Sequence, residues 1–245
     1  TLPFVANEGQ WEGHIKYQAG LFSGKFLVTE HELVYSLTVA DQQRDDGPIT
    51  SPGMTGSRAV VSSELTRNNP VDKLRSISFR ESFVTPTGSF ATLAPGGQEK
   101  APGCISYFES NHPDRWKKGL ASYNSLSLGT IYPEIEVELK ASGQNIEKLF
   151  YLKPGANVED IRIRMDGADS MKIDEAGELV LCVNQSELAM MKPVGFQEKD
   201  GQKTAVEVVY ELKGQNEYGF KIVGSYDPQL TLVIDPALST LSAST

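Results

Sequence analysis

Cysteine and histidine are scarce in this chain, with two of the former and three of the latter among 245 residues. Cys104 and Cys182 are too far apart for a metal knuckle and too few for a disulfide framework. Each sits in a strand-like run, Gly103–Tyr107 and Leu179–Val183, where a small buried hydrophobe is the plain reading; spacing alone does not decide whether they bridge. His14, His31 and His112 show neither the spacing of a metal motif nor an obvious nucleophile partner, and no nucleophile elbow is present. A metal centre, a cofactor or a Ser/His/Asp triad is therefore not expected. Long apolar runs are missing too: nothing approaches the roughly eighteen residues a spanning helix needs, so membrane insertion is not expected. Basic charge is in deficit, 23 Lys+Arg against 32 Asp+Glu for a net −9. That balance repels phosphate backbones, and no Lys/Arg stripe interleaved with aromatics offsets it, which argues against a nucleic-acid partner.

What is present is alternation. Ile135, Val137 and Leu139 share one face with Glu136 and Glu138 opposite; Ile161, Ile163 and Met165 alternate with Arg162 and Arg164. Val206, Val208, Tyr210 and Leu212 form a third inward set, and Leu230, Leu232 and Ile234 a fourth. A period of two over such lengths predicts antiparallel strands with one wet face. Lys25–Thr29 and Glu32–Val39, separated by a polar turn at Glu30-His31, read as a hairpin. Turn signals at Pro154-Gly155, Asp166-Gly167, Asp174–Gly177, Asp200-Gly201, Lys213-Gly214 and Asp227-Pro228 leave little room for helix, beyond one turn at Pro113–Lys117. Residues 41–57 and 85–103 read as long surface loops, and 237–245 as a linker leading onward. The expected architecture is all-β, a largely antiparallel β-sandwich-type module with very little helix. It spans 1–236, with lobes at 1–100 and 101–236 as an alternative partition.

A series of anchors carries a family resemblance. Pro3-Phe4-Val5-Ala6-Asn7-Glu8-Gly9-Gln10-Trp11, the hairpin Gly24–Leu37, Ser106–Trp116, Ile131–Val137, Tyr151–Ala156, Ile161–Ala168, Gly177–Leu181, Lys192–Glu198 and Leu232–Pro236 follow one another along nearly the whole chain. In that order they resemble the N-terminal domain found ahead of propeller-type SBBP repeats in large secreted bacterial proteins, a domain of uncharacterised function. Two positions depart from the pattern: Glu134 and Ser110 stand where the family carries glycine. The resemblance implies an extracellular or cell-surface location and a following repeat region as a partner. It implies no activity.

Among candidate sites, Trp11, Trp116, Tyr107, Tyr123 and Tyr132 are the aromatic residues from which a sugar-stacking platform would be built, although structural anchoring is the commoner use of tryptophan. Glu134, Glu136, Glu138, Glu159, Asp160, Asp166 and Asp169 supply carboxylates of the kind glycoside hydrolysis needs, but a charged wet strand face explains the glutamates more simply. Asp166–Asp169 lacks the alternating acids and terminal glutamate of an EF-hand loop. The expectation is a non-catalytic extracellular structural or adhesion module at the front of a longer bacterial surface protein. A carbohydrate-binding module is the alternative, and a glycoside-hydrolase-like enzyme ranks last.

Overall fold

In the computed structural model, which describes residues 2–40, 74–108, 113–143 and 145–236, the alternating segments become antiparallel strands. The chain begins with β1 (Phe4–Ala6), β2 (Ile15–Leu21), β3 (Gly24–Thr29), β4 (Leu33–Ala40), β5 (Leu74–Phe83), β6 (Gly96–Gly97) and β7 (Ile105–Tyr107). A 3-10 turn at Pro113–Arg115, where one helical turn is expected, leads to β8 (Lys117–Leu120), β9 (Ser122–Tyr123), β10 (Ser125–Tyr132), β11 (Ile135–Ser142) and β12 (Asn145–Leu152). A second 3-10 turn, Val158–Asp160, is capped by the Asn157 side chain, which accepts from the Glu159 N–H. There follow β13 (Ile163–Asp166), β14 (Ser170–Ile173), β15 (Leu179–Val183), β16 (Ser186–Met190) and β17 (Val194–Lys199). The last four are β18 (Gln202–Val206), β19 (Val208–Leu212), β20 (Glu217–Ile222) and β21 (Leu232–Asp235).

Two sheets dominate this all-β, sandwich-type fold. The larger has nine strands in the order β19-β20-β13-β5-β4-β3-β2-β1-β9, the smaller seven in the order β18-β17-β21-β12-β11-β10-β6. A three-stranded sheet, β14-β15-β16, adds Leu179, Leu181, Val183, Leu188 and Met190 to the same core, and β7-β8 forms a separate hairpin. The larger sheet draws strands from Phe4 to Ile222 and the smaller from Gly96 to Asp235, so the two interleave along the chain, and their inner faces share one hydrophobic cluster running from Phe4 to Ile234. Aromatic rings set its centre: Tyr35 stacks on Phe79 at 4.5 Å, and Phe150 of the smaller sheet meets Phe220 and Phe83 of the larger edge-on at 5.3 and 6.4 Å. Burying each such ring contributes about 2 kcal/mol.

The chain passes between the sheets at both margins. At one, β9 runs through Asn124 into β10; at the other, β18 runs through Glu207 into β19. Val206–Leu212 is therefore not a single strand as its alternation suggests. It changes sheet at Glu207, keeping Val206, Val208 and Tyr210 buried while Leu212 ends 42% exposed. The Glu207 carbonyl holds this corner by accepting from the N–H groups of Val223 and Gly224 at 2.9 and 3.3 Å.

The segment 85–103 is a correction of a different kind. Instead of a free surface loop it lies along the opposite margin, with Ala91, Leu93 and Ala101 buried. Gly96 and Gly97 pair with β10, Lys100 bridges Tyr123 of β9, and backbone bonds join Gln98 to Ser125, Asn124 to Glu99 and Ala101 to Ser122. One of its glycines is a packing requirement: a Cβ on Gly97 would sit 2.4 Å from the Tyr123 ring. Open strand edges are thereby covered at this margin. The other long loop read from sequence, 41–57, and the linker 237–245 lie outside the described residues.

The hairpins explain several turn residues. Asp200 (φ 52°) and Gly201 (φ 78°) form the two-residue link between β17 and β18, the double left-handed geometry that matches strand twist. Asn184 and Gln185 do the same between β15 and β16 without a glycine, which is why composition did not reveal that turn. Glu134, between β10 and β11, holds φ 58°. The backbone conformation that favours glycine is thus present at the very position where the resembled family has one. Glu134→Gly is expected to raise stability by about 1 kcal/mol, read as a higher urea midpoint with an unchanged slope.

Candidate functional site

The Asn7–Trp11 segment shows what its motif is for. Asn7 reaches across the turn after β1: its Nδ2 donates to the carbonyls of Ile15 (2.7 Å) and Glu12 (2.9 Å), and its Oδ1 accepts from the N–H groups of Gly9 and Trp11. Gln10, fully buried, donates to the Ala6 carbonyl and accepts from the Glu8 N–H, both at 2.7 Å. Gly9 sits at φ 101°. Side-chain amides thus replace the ladder bonds that the turn forgoes, and Trp11 emerges half-buried with its ring edge-on to Tyr107 at 5.5 Å.

Tyr107 ends β7, one strand of the small outlying hairpin, and the same hairpin carries Phe108 and Trp116. These two rings meet edge-on at 5.7 Å and are 55% and 46% exposed, with Lys118 Nζ 6.0 Å from the centre of the Phe108 ring. The structure therefore groups Trp11, Tyr107 and Trp116 at one corner, adds Phe108 and Lys118, and leaves the other two candidates elsewhere. Tyr123 packs half-buried against Tyr17 at 6.1 Å. Tyr132 is 2% exposed; its hydroxyl donates to the Arg162 carbonyl and accepts from the Arg162 N–H. Burial pushes that phenol well above its ordinary range, and no face of the ring is open to stack on a ligand.

Of the acids suggested by sequence, Glu134 is exposed at its turn, Asp166 is half-buried at the end of β13, and the other five are engaged separately. Glu136 pairs with Lys153 at 2.5 Å and Glu138 accepts from the Tyr151 hydroxyl at 2.8 Å, both on the outer side of the smaller sheet. Glu159 pairs with Lys213, Asp160 accepts from Asn157, and Asp169 accepts from the Asn184 N–H. His14 lies beside Glu12 at 3.4 Å, His31 is exposed, and His112 is outside the described residues. Cys104 is exposed, Cys182 half-buried, and both are free thiols. A shallow cleft lined by Leu152, Ala156, Tyr226, Pro228 and Leu232 encloses about 130 Å³, well under the ~300 Å³ at which small-molecule pockets begin.

One group of chemistry-bearing residues went unread in the sequence. Glu81 follows the inward positions Ile77 and Phe79 of β5, and Lys148 stands between the inward positions Ile146 and Phe150 of β12. The two strands belong to opposite sheets, so these in-phase charges meet inside the core, Lys148 Nζ to Glu81 Oε2 at 2.5 Å, with side chains 3% and 1% exposed. Two tyrosines complete the cluster. Tyr218 of β20 donates to Glu81 Oε1 at 3.0 Å and accepts from Lys148 Nζ at 3.2 Å, while Tyr35 of β4 donates to Oε2 at 3.3 Å. Desolvation, then the neighbouring Glu81 carboxylate, drives both phenols well above their ordinary range, so both remain hydrogen-bond donors. The signal that would have found the cluster is a charged residue occupying the apolar phase of an alternating strand.

Asp235, at the end of β21, differs from the surface acids. Its Oδ1 is buried with no hydrogen-bond partner, and desolvation, then repulsion from Glu147, raises its carboxyl to about 6.

Comparison with known proteins gives one family match: the family model described as a domain of unknown function, DUF7948, matches residues 4–237. No curated protein and no solved structure matches the chain.

Two outcomes follow from this geometry. Lys148→Met leaves the Glu81 carboxylate buried without its cation and is expected to lower stability by about 3–5 kcal/mol. Adding Glu81→Gln, which removes the charge while keeping an acceptor for both tyrosines, is expected to return a good part of that loss, measured by denaturant titration of the three proteins. For Asp235, the folded state binds its proton more tightly than the unfolded chain, whose carboxyl is near 3.8. Stability is therefore greatest below pH 4 as far as this group is concerned, falls as pH rises through about 6, and is flat above. Asp235→Asn removes this dependence and adds about 1 kcal/mol at pH 7 once solvent screening of a half-exposed carboxylate is allowed for.

Proposed function

Taking as premise that the chain belongs to the DUF7948 family, whose function is unknown, we propose that it is a non-catalytic interaction module of an extracellular or cell-surface protein, joined to a following repeat region or docking onto another surface protein. The observation that carries this reading is where the chemistry lies. Among the described residues the buried charged pair bonds the two large sheets to each other from inside the core, whereas Glu136, Glu138, Glu159 and Asp169, named from sequence, are tied to separate partners around the exterior. Catalysis by paired carboxylates needs two of them converging on one cleft, and binding needs only a rigid, exposed surface. The surface location and the link to a following repeat region rest on the resemblance of the anchors from Pro3 to Pro236.

A second reading has its own support. Trp116 and Phe108 form an exposed aromatic pair with a lysine beside it, and half-buried Trp11 and Tyr107 lie on the same corner. Aromatic faces with a polar rim suit pyranose rings, and the cation favours sugars bearing carboxylates or sulfates. In this reading the module contacts glycan through that corner. Trp116→Ala is expected to leave the thermal midpoint within about 2 °C of wild type, because an exposed hairpin residue contributes little to the core, and to abolish retention on an acidic-polysaccharide column. Equal retention of wild type and variant, or no retention of either, sinks the glycan reading and leaves the protein-contact reading to be tested against the repeat region.

A further inference from the structure

We propose that Lys148 and Glu81 are the site of a self-formed amide cross-link between the two sheets. The argument is independent of the function proposed above and starts from the arrangement of four side chains. An amine and a carboxyl group touch at 2.5 Å, and both are shut away from water. The β-ladders position both residues from their own sheets, Glu81 against Leu33 and Met165 and Lys148 against Leu139. Reactants fixed in this way react as though at very high concentration, and a dry interior disfavours the reverse hydrolysis.

Tyr218 and Tyr35 supply the rest of the chemistry. Relaying one proton from Nζ through the Tyr218 hydroxyl to Oε1 converts the ion pair into a free amine and a carboxylic acid protonated on Oε1, with no change in net charge; the second proton shed by nitrogen follows the same route, so Oε1 carries both hydrogens of the departing water. The amine lone pair then attacks Cδ, forming the C–N bond. Tyr218, which accepts from Nζ and donates to Oε1, is placed to take the proton that nitrogen sheds and to pass its own to Oε1. Tyr35, donating to Oε2, stabilises the charge that builds on that oxygen. The C–Oε1 bond breaks and Oε1 leaves as water; Oε2 becomes the amide carbonyl. One amide is made, one water is lost, and no oxidant, reductant or cofactor is required. The result is a covalent tie across a span of 67 residues, joining the inner faces of sheets that otherwise meet through packing.

The test is the intact mass of the wild-type protein, purified folded and then denatured. The expected value is lower than the sequence mass by one water, with a protease digest yielding a branched peptide that joins the Lys148 and Glu81 segments. Lys148→Arg is expected to have its full sequence mass, and Glu81→Gln to form the same link with loss of ammonia. Tyr218→Phe is expected to slow formation at least tenfold after refolding from the unlinked denatured chain, and an unchanged rate overturns the relay. The cross-link itself is overturned by a full-mass wild-type protein whose Lys148 and Glu81 peptides are recovered separately. A water loss that maps to an Asp-Gly pair such as Asp166-Gly167 or Asp200-Gly201 overturns it equally.

Discussion

Two charged side chains inside a two-sheet core impose a condition on everything around them. A carboxylate or an ammonium moved from water into such an interior loses solvation worth several kcal/mol, and recovers it only through a partner in good geometry whose remaining lone pairs and protons are also satisfied. Glu81 and Lys148 meet that condition only when the nine-stranded and seven-stranded sheets face each other in one register: a shift of either strand by one residue turns its charge outward and an opposite-face side chain inward. Tyr35 and Tyr218 narrow the choice further, because β4 and β20 must flank β5 and β13 so that both hydroxyls reach the same carboxylate. Apolar packing of Phe79, Phe83, Phe150 and Phe220 supplies most of the driving force but tolerates slippage; the polar cluster does not. Any pairing of the sheets that separates Glu81 from Lys148 therefore carries a penalty that apolar packing alone does not impose.

The margins of the sandwich follow from the same constraint. Once the sheets are aligned, the chain has to pass from one to the other without leaving open strand edges, and at the two margins it does so with very short connections, Asn124 at one side and Glu207 at the other. Short crossings demand that backbone groups at the corners find partners nearby. The Glu207 carbonyl takes two N–H donors, and the 96–101 segment lies close enough to both β9 and β10 to bond each. Gly97 is there because a side chain at that position would collide with Tyr123, which itself packs on Tyr17 beside β9 of the larger sheet.

The sequence made some of this visible and concealed the rest for physical reasons. Strands with one wet face announce themselves by alternation, and so β11, most of β13, β19 and β21, with the hairpin β3-β4, stood out. β5 and β12 were harder, since each places a charge where an apolar residue keeps the period, and that interruption hid both the strand and the cluster. Glycine-rich segments are ambiguous by nature: Gly and Pro between 85 and 103 describe a loop as well as a segment squeezed against an aromatic ring. The aromatic corner was half legible. Trp11 and Trp116 each end a motif-bearing segment, but the two segments lie far apart in sequence, and only the fold sets Tyr107 against Trp11 and Phe108 against Trp116; Tyr132 could be removed only by seeing its hydroxyl bonded to the Arg162 backbone. The family match, to a domain of unknown function, covers residues 4–237, nearly the whole chain.

The division between interior and corner bears on what kind of protein this is. The core carries its polar groups in contacts that resist rearrangement, and the Asn7 and Gln10 amides fix the turn that presents Trp11 by the same means. A surface held on such a base loses little conformational entropy when it meets a partner, which is the condition under which a small aromatic patch gives useful affinity. The outlying hairpin extends this logic outward: β7 and β8 pair only with each other, yet Tyr107 is seated against Trp11 of the main body. That contact anchors one end of the aromatic group while Phe108 and Trp116 stay exposed at the other, so the rings on which the proposed glycan reading depends are already oriented by the fold.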